Sequence, residues 1–268
     1  MRKYLRVFKI ETSKSLVYRG ELVVLVINHI LSFAAVVVLW LAVFQENENV
    51  AGFSFQITVF YYLAVLFTGF FTEVFLAEEV ARYIREGNIA NFLLKPLSYI
   101  YRNLFYKLAT KFNYLLLTLP TFLLFLAFLY FTNILDWWEV LNFKSFIIAC
   151  MFLIFGWLLN FLIEVFLGYL AFWFHEIWSL KHLKWIALII FSGQSFPLEF
   201  LPPNILPIFE LIPLRFIYHT PSVYLINQRS MEHVIYDFVY LIFWIIVLYI
   251  VCIFLWKKGV KKYEAYGS

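Results

Sequence analysis

Five polar side chains stand inside long apolar stretches of the sequence, and these residues could do chemistry there. They are Asn28, His29, Glu73, Asn160 and Glu164. A charged group at the centre of a bilayer costs about 2.5–3.5 kcal/mol on insertion scales, so such residues tend to be paired or functional. If the stretches cross a membrane, all five lie towards the same face. Two interpretations stay open: a cluster that joins helices or gates a path, and glutamates that extend towards surface cations.

Motifs for nucleotide, metal or nucleophilic chemistry are missing. No glycine is followed by lysine, so the phosphate-binding loop GxxxxGK[ST] cannot occur. Asp136 and Asp237 are the two aspartates and lie far apart in the sequence, which argues against an aspartate-rich magnesium site. The five histidines are scattered, and Ser192 with Gly193 is interpreted as a helix-ending turn. We therefore expect no catalytic residue, metal or cofactor in this chain.

The composition requires lipid as the solvent for most of the chain. Of its 268 residues, 64% are hydrophobic and 14% are charged, whereas about a quarter of a soluble domain is charged. No polar stretch is long enough to form a separate soluble domain. We predict one membrane domain over 1–268, with a lipid bilayer and no nucleic acid as its surroundings.

Six apolar stretches approach the length of about 20 residues that a membrane helix needs. Helices are expected because lipid cannot satisfy free backbone polar groups. The fifth stretch is the shortest, and the third contains Pro120. The predicted spans are 22–44, 53–77, 112–131, 146–167, 182–196 and 234–256.

The basic residues predict the orientation of these spans. Of the 21 Lys and Arg residues, 18 lie in four segments on one side, namely 1–20, 78–111, 174–184 and the C-terminal tail. Basic residues accumulate in cytoplasmic loops, so both termini should be cytoplasmic. Four basic segments agree with six crossings.

Two further segments are predicted to lie at or within the membrane boundary. Residues 1–20 should form a basic amphipathic helix on the inner surface, with Tyr4, Leu5 and Phe8 towards lipid, or else a plain flanking arm. The segment 193–233 holds six of the eight prolines and is apolar. Because its apolar pieces are too short to span, it is predicted to form re-entrant or interfacial helices between spans five and six.

The longest inner loop, 78–111, carries the strongest functional signal. Val80, Tyr83 and Ile84 fall on one helical face, and Gly87 is a natural helix stop. Asn88 is predicted to cap a second short helix that ends at Lys95 and Pro96. The spacing thus predicts two short amphipathic helices that either dock on a soluble partner or lie on lipid.

The run from Ile84 to Pro96 reads IREGNIANFLLKP. It resembles the I-R-x-G-x-I-A-x-x-L-L-[RK]-P signature of a bacterial type-2 ABC transporter permease family. Other parts are similar in the same order along the chain, whereas the acidic Glu199 departs from the pattern. These similar parts are Tyr18-Arg19, Trp40, Phe172-Trp173, Ser192-Gly193, Pro197-Leu198, Pro202, Pro213, Pro221, Trp256, Gly259, Tyr263 and Gly267.

The resemblance implies the permease subunit of an ATP-driven exporter in a bacterial cytoplasmic membrane. A second permease chain, identical or different, would complete the pathway. Two separate ATPase subunits would supply ATP and magnesium, and the inner loop would be their coupling element. The implied docking residues are Arg82, Tyr83, Arg85, Glu86, Gly87 and Asn88. A lipid-modifying enzyme, a membrane scaffold and a secondary transporter remain alternatives, and the transported substrate is open.

Overall fold

A computed structural model describes residues 2–14, 31, 34–45, 49–94, 97–131 and 142–265. The predictions for Asn28, His29, Lys95 and Pro96 lie outside these residues. The described chain is almost entirely helical. Its helices are α1 (Arg2–Lys14), α2 (Ala34–Phe44), α3 (Phe55–Thr72), α4 (Ala77–Arg85), α5 (Asn88–Leu93), α6 (Tyr99–Phe131), α7 (Phe143–Tyr169), α8 (Trp178–Phe191), α9 (Leu206–Leu211), α10 (His219–Leu225) and α11 (Val234–Ala265).

Three helical stretches in the described residues are long and apolar enough to cross a membrane. They are Phe55–Arg85, Phe143–Phe172 and Met231–Tyr263, and the shorter Ala34–Phe44 is also apolar. This finding agrees with the predicted all-helical membrane protein. The count of six crossings and the cytoplasmic placement of both termini stay predictions.

Helix α7 lies at the centre of the bundle and packs against α3, α4, α10 and α11. Phe152, Leu159 and Val165 on α7 have no exposed surface. By contrast, α11 exposes an apolar stripe at helical spacing and buries its opposite face. The exposed stripe comprises Ile235, Val239, Phe243, Ile246, Ile250 and Phe254. Such a stripe is stable only if lipid or another protein covers it.

Helix α1 packs along α6. The Tyr4 ring stacks on Phe105 with a centroid distance of 5.6 Å, and the Tyr4 hydroxyl accepts a hydrogen bond from Ser98 N. Phe8 lies against Phe112. Tyr4 and Phe8 therefore face protein and not lipid, contrary to the prediction, because α6 offers them an aromatic surface; Leu5 is exposed.

Several predicted boundaries differ from the structure. The helix formed by the second apolar stretch, α3, ends at Thr72, and a non-helical segment, 73–76, separates it from α4. Helix α6 begins at Tyr99, so the later part of the predicted inner loop is continuous with the third span. Helix α11 continues past Trp256 to Ala265. Helical geometry persists beyond the apolar boundary because charged residues such as lysine are good helix formers.

Short helices and turns occupy the proline-rich segment 193–233. Helix α8 ends at Phe191 with Ser192 as its C-cap, and Gly193 has a φ of +78°. Two 3₁₀ turns, Leu198–Phe200 and Pro213–Phe216, flank α9 and precede α10. The prolines separate these pieces because proline lacks the amide proton that would continue a helix.

Candidate functional site

The segment 73–76, which we name the α3–α4 break, is the irregular feature around which the predicted polar residues gather. A helix end leaves its last carbonyls and first amides without helical partners. In a low-dielectric surrounding each unpaired group is costly, so a buried break must find hydrogen-bond partners elsewhere. Val74 and Leu76 in this segment are buried.

Helix α7 supplies those partners from two residues one turn apart. The Asn160 side-chain amide donates to the Thr72 carbonyl at 2.8 Å. One Glu164 carboxylate oxygen accepts from the amides of Leu76 and Ala77, both at 2.7 Å. Residues four apart lie on the same helical face, so α7 holds both sides of the break at once. Asn160 and Glu164 are 2% and 5% exposed.

A lysine from α8 completes this arrangement. Lys184 Nζ lies 2.6 Å from the second Glu164 carboxylate oxygen; the Glu164 side chain is buried, and that of Lys184 is 11% exposed. The carboxylate also sits at the N-terminus of α4, where the helix dipole favours negative charge. Glu164 thus joins α7, α4 and α8, and its cationic partner comes from the basic segment 174–184.

Glu73 lies in the same break but has a different partner. Its carboxylate accepts a hydrogen bond from the Tyr218 hydroxyl at 2.7 Å. Nearby, Lys111 Nζ donates to the Phe70 carbonyl at 2.9 Å and so caps the end of α3 from α6. Three of the five predicted intramembrane polar residues therefore meet around one break, while Asn28 and His29 lie outside the described residues.

Beyond the break, α4 and α5 form a pair of short helices that bend at Gly87. Val80 and Ile84 on α4, and Ile89 and Phe92 on α5, are buried. Gly87 has a φ of +75°, which a residue with a side chain rarely adopts. Gly87 is also the N-cap of α5, so the prediction that Asn88 caps this helix is wrong. The Asn88 amide donates to Glu86 instead.

The six predicted docking residues divide into two groups. Arg82 and Glu86 are exposed. Arg85 points back into the chain, where it binds Glu78 at 3.0 Å, Glu176 at 3.4 Å and the His175 carbonyl. Like Arg85, two more of these residues contact other parts of the chain. Tyr83 is partly buried near Arg102, and the carbonyl of Gly87 accepts a hydrogen bond from the Tyr263 hydroxyl at 3.1 Å. Asn88 is half-exposed beside Glu86.

A close approach of α4 to α7 gives a direct test of this packing. A Cβ at Gly168 would lie 2.7 Å from Val80 Cβ, so Gly168→Ala should lower the free energy of unfolding by about 1–3 kcal/mol through overpacking. Thermal unfolding in detergent measures the effect. Gly69→Ala is the matched control, because its Cβ would have an ordinary 3.4 Å neighbour. Equal unfolding temperatures of wild type and Gly168→Ala would contradict the packing.

Sequence reasoning missed a buried cluster around Asp237. Its carboxylate accepts from Arg215 at 2.7 Å, from Arg229 at 2.6 and 3.0 Å, and from Tyr224 at 3.0 Å. Arg215 and Asp237 are 1% and 0% exposed. Arg215 and Arg229 are among the few basic residues that lie outside the four basic segments. Their position on the side predicted to be poor in positive charge is the signal that could have pointed to an internal ion pair.

A second missed network holds α3 to the proline-rich segment. Tyr61 donates to the Gly193 carbonyl at 2.5 Å and lies 3.2 Å from His219 Nδ1. His219 Nε2 lies 3.3 Å from Glu199. Burial raises the pKa of the Glu199 carboxyl, but His219, the residue's own backbone amide and Arg229 together lower it more, so the pKa lies below its ordinary value. Glu199 therefore has an internal structural partner.

Comparison with known families places these features in context. The chain matches the family model described as ABC-2 family transporter protein over residues 30–267. No curated protein sequence matches the chain. The matched range includes the α3–α4 break, the α4–α5 pair and the Asp237 cluster. The chain therefore belongs to the ABC-2 transporter family, whose members are membrane permease components of ABC transporters.

Proposed function

We propose that this chain is the permease subunit of an ATP-driven exporter and works as a dimer with separate ATPase subunits. The α4–α5 pair would seat in a groove of the ATPase, which would bind ATP and magnesium. The protein would lie in a bacterial cytoplasmic membrane, with the transport path between the two permease chains. Family membership supports the role of a permease subunit, and the geometry of α4 supports its coupling to an ATPase.

The attachment of α4 to the bundle is the observation that carries the proposal. Glu164 holds the first amides of α4, and Gly168 brings α4 against the same helix, α7. A displacement of α4 would therefore move α7 and, through Lys184, α8. A flexible loop lying on lipid would have no need of such attachments.

The α4–α5 pair is also attached to α11, through a cluster of aromatic rings. Trp256 on α11 stacks on Tyr99 at a centroid distance of 4.9 Å and lies 5.1 Å from Tyr169. Phe92 on α5 packs edge-on against the same Tyr99 ring. Nucleotide-driven movement of the α4–α5 pair would thus reach α6, α7 and α11 together. Such rigid-body movement between two packed arrangements is a common basis for switching.

Charge reversal on the exposed face of α4 tests the docking. We expect the double variant Arg82→Glu with Glu86→Lys to lower recovery of the ATPase by tenfold or more. Like charges brought together at an interface cost several kcal/mol, and a loss of about 1.4 kcal/mol already weakens binding tenfold. The measurement is co-purification of an ATP-binding-cassette ATPase with the tagged chain from mild detergent.

The control reverses two exposed charges elsewhere, Lys144→Glu with Glu232→Lys, and should leave recovery unchanged. Arg85 is unsuitable for this purpose, because its loss would break ion pairs within the chain. Recovery of the ATPase with both double variants alike would reject the α4 face as the docking site. No ATPase with the wild type would favour a scaffold or a secondary transporter.

A further inference from the structure

A cavity of about 450 Å³ lies beside the α3–α4 break, between α6 and the indole ring of Trp157 on α7. Its volume falls in the range of about 300–1,000 Å³ that is typical of small-molecule sites. Both charged and aromatic side chains line it, a combination that a purely lipid-facing crevice would not need. The lining includes Glu73, Glu79, Lys107, Lys111, Tyr114 and Trp157.

Two of the lining charges retain unused hydrogen-bonding capacity. Lys111 donates one hydrogen bond, to the Phe70 carbonyl, whereas an ammonium group has three donors. Glu73 uses one carboxylate oxygen, which accepts from Tyr218. In the part of the chain that the structure describes, these two opposite charges border one cavity without forming an ion pair with each other. A ligand carrying both charges could therefore bind between them.

The remaining charges favour a zwitterion over a simple anion. Lys107 and Glu79 form an ion pair at 2.7 Å on another part of the lining. Two lysines and two glutamates thus border the cavity, and their formal charges cancel. An anion bound at Lys111 would leave the Glu73 carboxylate uncompensated, whereas a ligand with one anionic and one cationic group preserves the balance. The Lys111 ammonium already lies 5.2 Å from the centre of the Tyr114 ring, so the aromatic ring that would attract the cation of a ligand is Trp157.

Polar and apolar surfaces meet around the cavity, as they do at the level of lipid headgroups. Helix α1 packs along the same part of α6, and the Asn113 amide donates to the Thr12 carbonyl at 3.2 Å. The outer face of α1 exposes Lys3, Arg6 and Lys9, as is typical of a helix at a membrane surface. On α6 next to Lys111, Phe112 is an exposed apolar side chain. Polar and apolar surroundings therefore meet at the level of this cavity.

We propose that this cavity binds the headgroup of an amine-bearing phospholipid, with the phosphate at Lys111 and the ammonium at Glu73. The acyl chains would lie along the exposed apolar side chains of α6. The site is a property of this chain alone and is independent of ATPase docking. Soluble phosphoethanolamine compounds carry the same two charges, so the test must separate the lipid from its soluble headgroup.

Native mass spectrometry of the purified full-length chain in detergent tests the site. The probes are phosphatidylethanolamine, phosphatidylglycerol with the same acyl chains, and soluble glycerophosphoethanolamine. We expect Lys111→Met and Glu73→Gln each to weaken phosphatidylethanolamine binding about tenfold, the scale of one charge-assisted contact. Glu73→Gln should not weaken phosphatidylglycerol binding. Lys144→Met and Glu232→Gln are the matched controls, since both side chains are exposed and border no part of the cavity.

The outcomes separate clearly. Preference of the wild type for phosphatidylethanolamine, lost in both cavity variants and kept in both controls, supports the site. Unchanged phosphatidylethanolamine binding in Lys111→Met and Glu73→Gln would overturn it, as would equal binding of the two lipids by the wild type. Displacement of the lipid by an equal concentration of glycerophosphoethanolamine would overturn the lipid as the ligand. Circular dichroism of each variant establishes that the helices are intact.

Discussion

Asp237→Ala is expected to lower the free energy of unfolding by at least about 3–5 kcal/mol, the cost of breaking one buried ion pair. The effect should reach or exceed the upper end of that range, because this one carboxylate neutralises two guanidinium groups. Arg215 is fully buried, and Arg229 is mostly buried. Removal of the carboxylate would leave the buried Arg215 without its ion-pair partner and Arg229 with Glu210 alone, at 3.3 Å. Tyr224 would also lose its acceptor.

Thermal unfolding of purified variants in detergent measures this loss. Asp237→Asn should have a smaller effect, because the amide oxygen still accepts a hydrogen bond although the charge is gone. Glu232→Ala, an exposed acidic residue just before the same helix, is the control and should unfold like wild type. Adding Arg215→Met to Asp237→Ala should recover part of the loss. An unfolding temperature of Asp237→Ala equal to that of the control would rule out the buried charge cluster.

Glu164→Ala is expected to produce the second large effect, a loss of about 3–5 kcal/mol in the free energy of unfolding. The substitution leaves the mostly buried Lys184 side chain without its carboxylate partner. It also frees the amides of Leu76 and Ala77, and each unsatisfied buried group costs about 1–3 kcal/mol. Partial fraying of α4 would lower the total, because water could then reach these groups.

Two measurements separate stability from the anchoring of α4. Thermal unfolding reports the total loss, and amide hydrogen exchange at residues 76–81 reports whether the first turn of α4 has opened. Glu164→Gln with Lys184→Met removes both charges but keeps an acceptor for the amides, so it should be more stable than Glu164→Ala. Glu232→Ala is the control, since that side chain is exposed and belongs to the turn before α11. Unchanged exchange at the start of α4 in Glu164→Ala would disprove the anchoring.

If α4 transmits movement from an ATPase, the same variant should separate binding from transport. The exposed Arg82 and Glu86 remain in place in Glu164→Ala, so ATPase recovery should fall little. Transport per ATP hydrolysed should fall more, because α4 would no longer move α7 directly. This contrast distinguishes residues that bind the partner from residues that carry its movement.

Much of the architecture follows from local patterns in the sequence. Apolar stretches of membrane-spanning length predict helices in lipid because a helix satisfies its own backbone hydrogen bonds. The spacing of Val80 and Ile84 correctly predicted the buried face of α4, and Gly87 correctly predicted its end. These features depend on residues within one or two helical turns, so they can be read without the rest of the chain.

The sequence by itself determined that the chain is helical, that it has apolar stretches long enough to cross a membrane and that its segment 84–96 resembles that of an ABC-2 permease. Only the tertiary structure decided how the polar residues pair. Glu164 binds amides 87 and 88 residues away, and Glu73 binds a hydroxyl 145 residues away. Hydrophobic periodicity identifies the buried face of a helix, but packing of distant helices selects the partner of each buried charge. For that reason the break, its α7 supports and the Asp237 cluster emerged from the fold alone.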